Sequence, residues 1–328
     1  MNKIAYSFLI ILFCFSNILA IQEVDPSYYS MLLISVRRET VNTALTGIPA
    51  KKTIDYNMFL EKMVDLRDHY RLSDLEVAYL AYKWIAQNIE VQYDLRNTNY
   101  PVNVYDSGKG NPSGIASLFN AICKNFNITS GSIEGTVKVI KKFNYNDMIS
   151  EVQSTWNYLE FYGLKYLVDV SLGAGNYNER IFEKGYSDFY FGTKPKYFIY
   201  RHFPSDSNYQ LIPVPKRQSE FDSYPFVNYA FFLYGFKEFD PRDKEIKNIE
   251  GDIEVEIKYD PFTTDGNILS KLIDQTHSYK ADAILQKNPG YEIEIDVYNL
   301  DKKLVYLELS IEIDNLKTVP ILIYKITS

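Results

Sequence analysis

A thiol becomes a catalyst only with a base in hydrogen-bond reach and a third group to orient that base. Few side chains here could form such a set: two cysteines, Cys14 and Cys123, and three histidines, His69, His202 and His277. The histidines lie far apart in sequence and have no metal-ligand spacing, so neither a metal nor another cofactor is expected. Cys123 shares a helical face with Ile115, Leu118, Phe119, Ile122 and Phe126, which recur at the 3,4,7,8,11 spacing of a buried stripe. That setting predicts an inert core thiol. His202 lies in the phrase Tyr200-Arg201-His202-Phe203-Pro204, and with Cys123 it is the pair left for any relocated chemistry.

The elements around these residues can be read from periodicity. Gly110 to Phe126 predicts a short loop feeding a buried helix, with Ser113 as cap and Gly114 allowing close backbone approach. A capping box, Ser73 with Glu76, starts a second helix whose face carries Val77, Leu80, Ala81, Trp84, Ile85 and Asn88. Residues 21–57 predict a helical segment around Tyr28 to Val41, broken at Gly47-Ile48-Pro49. Three strands are expected after the central helix: Ser132 to Phe143, Val152 to Phe161 with Trp156, and Leu164 to Val170 with Asp169.

The stretch Gly110, Asn111, Pro112, Ser113, Gly114, Ile115, Ala116, Ser117, Leu118, Phe119 resembles the nucleophile segment of the transglutaminase-like superfamily, Gly-x-Cys-x-Gly-Tyr-Ala-x-Leu-Phe. Ser154-Thr155-Trp156-Asn157 resembles that family's His-Ala-Trp-Asn, and Val168-Asp169-Val170 its Val-Asp-Ala. Further phrases continue the likeness over residues 58–236, above all to kyphoscoliosis-peptidase-like members: AYLAYKWIAQNIEVQYD, FIYRHFPSDSNYQLI, then Glu220, Phe221, Pro225, Phe231, Phe232 and Gly235. The resemblance implies an α+β, papain-like cysteine-protease core. It also implies a degenerate triad, with Pro112 at the cysteine position, Ser154 at the histidine position and Asp169 retained. Proline has no nucleophilic atom and serine is no base near neutral pH. Asp169 is then expected to lack an imidazole to orient. Cys123 lies 11 positions past Pro112, about 16 Å along a helix.

Residues 1–20 resemble a secretory signal peptide: Lys3 gives the positive end, Tyr6 to Phe15 an apolar run too short for a stable membrane span, and Ala20 a cleavage site. Its removal takes the net charge from −7 to −8 and leaves Cys123 as the single cysteine. An acidic chain without a basic run excludes nucleic acid as a partner class. Asn127-Ile128-Thr129 is a sequon for N-glycosylation.

Residues 58–239 are expected to form the transglutaminase-like domain, 240–250 a charged linker, and 251–328 a β-sandwich, as in immunoglobulin-like modules. The last region alternates with a period of two, aliphatic residues facing inward and acidic ones outward: Ile253, Val255 and Ile257 against Glu254, Glu256 and Lys258; Ile293, Ile295 and Val297; and Val305, Leu307, Leu309, Ile311 and Ile313 against Tyr306, Glu308, Ser310, Glu312 and Asp314. Asp301-Lys302-Lys303 reads as a hairpin tip. The tyrosine clusters at Tyr186 to Tyr200 and Tyr224 to Tyr234 read mainly as core, with a minority on a contact surface.

The expected function is that of a secreted pseudoenzyme, a scaffold or binding module whose former cleft includes Trp156, Asn157 and Asp169. Its partner is expected to be a protein, or else a carbohydrate stacked on exposed aromatics. The rival is an active transglutaminase or cysteine peptidase that uses Cys123 and His202.

Overall fold

A computed structural model describes residues 34–50, 53–95, 100–140, 148–178, 181–247, 253–259, 267–273, 278–280, 283–288, 292–297, 306–313 and 317–327. The signal-peptide reading, the hairpin tip at Asp301 and His277 fall outside them. Among the described residues, no helix is long and apolar enough to cross a membrane.

Helix α1 spans Arg38–Thr46, α2 Tyr56–Tyr70, α3 Asp74–Asn88, α4 Pro101–Ser107 and α5 Pro112–Asn125. The capping box at α3 is present: Ser73 Oγ accepts from the Glu76 amide, and Glu76 Oε2 accepts from the Ser73 amide at 2.9 Å. Leu75 through Ala86 are all buried, so α3 is enclosed on every side and not only along one face. Glu76 tolerates that burial because Arg37 reaches it through Nε at 2.8 Å and through NH2 at 2.7 Å. Helix α5 packs beside α3, and Ile115, Leu118, Phe119, Ile122 and Cys123 join the same core cluster.

The first sheet contains β1 (Ser130–Ile140), β2 (Ile149–Phe161), β3 (Leu164–Val168), β4 (Phe191–Thr193) and β5 (His202–Pro204). All its pairs are antiparallel, in the order β4-β3-β2-β1-β5. The third expected strand stops at Val168, because Asp169 caps the short helix α6, Val170–Ala174. Gly135 on β1 lies opposite Ser154 on β2 and Pro204 on β5. A Cβ at Gly135 would collide with the Phe203 carbonyl and the Trp156 ring, so only glycine lets β5 and Trp156 come this close.

Two more sheets follow. One orders β6 (Phe226–Val227), β15 (Lys317–Thr327), β14 (Tyr306–Ile313), β10 (Asn267–Ile273) and β11 (Ser278–Lys280). The other orders β7 (Phe236–Asp240), β9 (Ile253–Tyr259), β13 (Glu292–Val297) and β12 (Ala283–Asn288). Val255 and Ile257 of the second share a core with Leu307, Leu309, Ile311 and Tyr324 of the first.

Two expectations about this region need correction. The segment 240–250 is not wholly a linker, since Glu245–Lys247 forms β8 and pairs in parallel with β15. The alternate face of β14 is not solvent-exposed either: Tyr306, Glu308 and Ser310 are buried. Tyr306 packs with Met148, Phe226, Ile273 and Ile323, and its hydroxyl accepts from the Met148 amide at 3.1 Å. β14 is a central strand covered on both faces, a situation that alternation alone does not anticipate. Glu308 enters that layer because Ser310 donates to it at 2.8 Å and Lys271 lies 3.6 Å away.

Candidate functional site

Pro112 occupies the first helical position of α5, where its missing N–H is no loss. Asn111, not Ser113, is therefore the cap: its backbone is extended and its Oδ1 accepts from the Gly114 amide at 2.8 Å. The Asn111 amide also donates to the Leu95 carbonyl at 2.9 Å, which ties the preceding loop to the helix start.

The β1–β2 register brings Ser154 to the same place. Pro112 and Ser154 line one hollow of about 270 Å³ with Tyr93, Asn111, Ser113 and Thr155, while Glu134 and Gln153 complete its rim. Its lining offers hydroxyls, amides and one exposed carboxyl, but no thiol and no imidazole. Burial pushes the Tyr93 phenol well above its ordinary pKa, and that phenol lies beside the Ser154 hydroxyl and within the field of Asp169.

Asp169 is wholly enclosed, and it has an imidazole. Its Oδ1 accepts from the Leu172 amide at 2.9 Å, and its Oδ2 lies 2.9 Å from Nε2 of His202. The expectation that Asp169 would have no imidazole beside it is corrected here. The imidazole reaches it from β5 and not from the Ser154 position. The His202 ring stacks on Phe198 at 3.6 Å between centroids and meets Trp156 edge-on at 5.0 Å. Burial lowers the His202 pKa, outweighing the hydrogen bond and charge of Asp169, which raise it. The ring is therefore neutral near pH 7 and donates from Nε2 to the aspartate. Nearby, Arg201 donates to the Tyr190 hydroxyl at 2.8 Å and, through NH2, to the Lys138 carbonyl at 3.0 Å.

The placement of Trp156, Asn157 and Asp169 in an open cleft is also corrected, since at most 1% of each is accessible. Asn157 donates to the Ala116 carbonyl at 3.0 Å and to Asn120 Oδ1 at 2.9 Å, bolting β2 to α5. Trp156 and Asn157 of β2 and Asp169 beyond β3 are all packed in the interior, while Gln153 and Thr155 line the hollow. Sequence reasoning missed Tyr93, Glu134, Gln153 and Thr155. Gln153 and Thr155 had a signal, their positions on either side of Ser154.

Cys123 is buried, and burial pushes its thiol up to about 12. His69 ends α2 with its ring edge-on to Tyr70. Asn127 is exposed in the turn after α5, with a left-handed backbone (φ 56°). Among the described residues no cluster of His, Cys, Asp or Glu could hold a metal ion.

No family model matches the chain. A mouse protein named kyphoscoliosis peptidase is 26% identical over 193 residues, which are 57% of this chain and 29% of that protein. The human protein of the same name is 27% identical over 241 residues, 71% of this chain and 35% of its own length. A Caenorhabditis elegans Lim and transglutaminase domain protein is 28% identical over 182 residues, 49% of this chain and 24% of that one. The chain thus spans about a third or less of the length of these relatives. A crystal structure of a TGase aligns with a TM-score of 0.26 and 12% identity, over 51% of this chain and 42% of that one, and carries no argument. The likeness to these relatives supports a transglutaminase-like, kyphoscoliosis-peptidase-like family for the chain.

Proposed function

We propose that the protein is a secreted, non-catalytic member of this family that works by binding a protein partner at the hollow bounded by Pro112 and Ser154. One observation carries the reading. Pro112 and Ser154, which the resemblance sets at the family's thiol and imidazole positions, line the same hollow; proline has no nucleophilic atom and serine is no base near neutral pH. Removing one member of a catalytic unit already costs several orders of magnitude in rate.

The rival, relocated chemistry on Cys123 and His202, is disfavoured by burial. A thiol held near 12 supplies almost no thiolate, and His202 is committed to Asp169. The two C-terminal sheets, which share one core, fit a β-sandwich of immunoglobulin-like architecture after the transglutaminase-like domain. Asn127 is an accessible acceptor for a glycan, consistent with a secretory route read from residues 1–20.

The test is turnover. The purified protein is incubated with a labelled amine and a glutamine donor, and separately with a peptide library. We expect neither incorporation nor cleavage above the buffer rate. Turnover that thiol alkylation abolishes would overturn the reading.

A further inference from the structure

A second cavity, about 460 Å³, lies away from the hollow, where the loop after Tyr186 meets the short helix Tyr229–Leu233. That volume lies in the range of small-ligand pockets. Its apolar wall comes from Phe189, Tyr197, Tyr229 and Leu233. Phe232 backs the wall, stacked on Tyr197 at 4.2 Å and on Phe189 at 6.2 Å, so the aromatic surface is held in place. Leu233 is 57% exposed at the rim.

The charged groups of this cavity do not balance. Asp188, its one carboxyl, is already engaged: Tyr79 donates to it at 2.5 Å, Tyr186 donates to it, and Arg38 lies 3.2 Å away. Lys194, on the cavity wall, pairs with no carboxylate among the described residues. Partial burial and the neighbouring Lys196 charge both lower its pKa. A partly desolvated cation with no carboxylate paired to it gains from an incoming anion. Lys83, behind the wall, lies between the rings of Tyr79 and Tyr186 and adds a further positive charge.

We propose that this cavity binds an aromatic carboxylate, with its ring against Phe189, Tyr229 and Leu233 and its carboxylate on Lys194. The same chemistry occurs in a free aryl acid and in the C-terminal residue of a peptide ending in phenylalanine.

The experiment is calorimetric titration of the full chain with N-acetylphenylalanine, with a hexapeptide ending in phenylalanine, and with the amide of each. We expect saturable binding of at least one acid by about 1 mM. Its amide should bind tenfold or more weakly, and whichever acid binds tighter identifies the source. Lys194→Met should bring the acid down to the level of its amide, and Leu233→Glu should weaken the acid by placing a competing carboxylate at the rim. Lys194 and Leu233 are not core residues, so neither change should disturb folding, which circular dichroism checks. Equal affinity for acid and amide, no saturable binding of either acid, or a Lys194→Met protein that still prefers the acid would overturn the proposal.

Discussion

His202 and Asp169 lie 33 positions apart in the chain, yet their side chains meet at 2.9 Å inside the first domain. The contact exists because β5 pairs with β1, while Asp169 leaves β3 and its backbone N–H donates to the Tyr190 carbonyl. Gly135 and Trp156 set the spacing between these elements. The imidazole–carboxyl pair is enclosed in the interior, where each group satisfies the other's hydrogen bond.

That enclosure predicts a large stability effect for Asp169→Ala. The change leaves His202 and the Leu172 amide without their acceptor, and should cost ~3 kcal/mol or more in urea unfolding. A loss below about 1 kcal/mol would mean that the pair is not formed in solution.

The same pair should set an acid limit. His202 has a pKa lowered from 6.5 by burial, so below that value the unfolded chain binds a proton that the folded chain resists. Stability should decline as pH drops beneath 6.5 toward the lowered folded value. His202→Gln, which can still donate to Asp169, should remove this part of the slope when melting temperatures are compared across the range.

Glu76 acts at lower pH. Burial alone would raise its pKa, but the Arg37 guanidinium and the Ser73 and Arg37 amides outweigh that and hold it at about 2. Its contribution is fully present above 4.5 and disappears as pH falls through about 2. Glu76→Gln should unfold at a higher pH than the parent in acid titration, and should cost about 1–3 kcal/mol at neutral pH. Matching acid transitions would remove Glu76 from the account.

Lys138 predicts a slope of the same sign in the alkaline range. Its ammonium is buried, donates to the Phe221 carbonyl at 2.5 Å and the Tyr224 carbonyl at 2.7 Å, and is lowered by burial to about 8. Between about 8 and 10.5 the unfolded chain holds the extra proton, so this group's contribution to stability rises with pH. Subtracting the Lys138→Met stability curve from that of the parent isolates the rise; a flat difference would show that Lys138 is not desolvated.

Local signals in the sequence were faithful where one element decided the outcome. The capping box at Ser73, the α5 stripe and the strand carrying Trp156 all follow from spacing and capping chemistry. Pro112 fixed the start of α5 but disguised the cap, because a proline at the first helical position makes the preceding Asn111 the cap. Pairings across elements were not legible: nothing in the spacing of Asp169 and His202 shows that β5 folds onto β1. The burial of Tyr306, Glu308 and Ser310 was hidden for the same reason, since alternation reports one covered face and β14 has two. Trp156, Asn157 and Asp169 were placed at the cleft by the family resemblance; β2 is covered on both faces, so Trp156 packs against His202 while Asn157 on the other face bonds to Ala116.

The proposed function requires that groups placed at Pro112 and Ser154 meet around one hollow. The most direct measurement is the pH dependence of alkylation in the double variant Pro112→Cys, Ser154→His, with the unreactive parent as control. A cysteine at the start of α5 facing that histidine should alkylate with an apparent pKa well below the ~8.5 of a free thiol. A thiol that titrates near ~8.5 and alkylates no faster than free cysteine would contradict the placement.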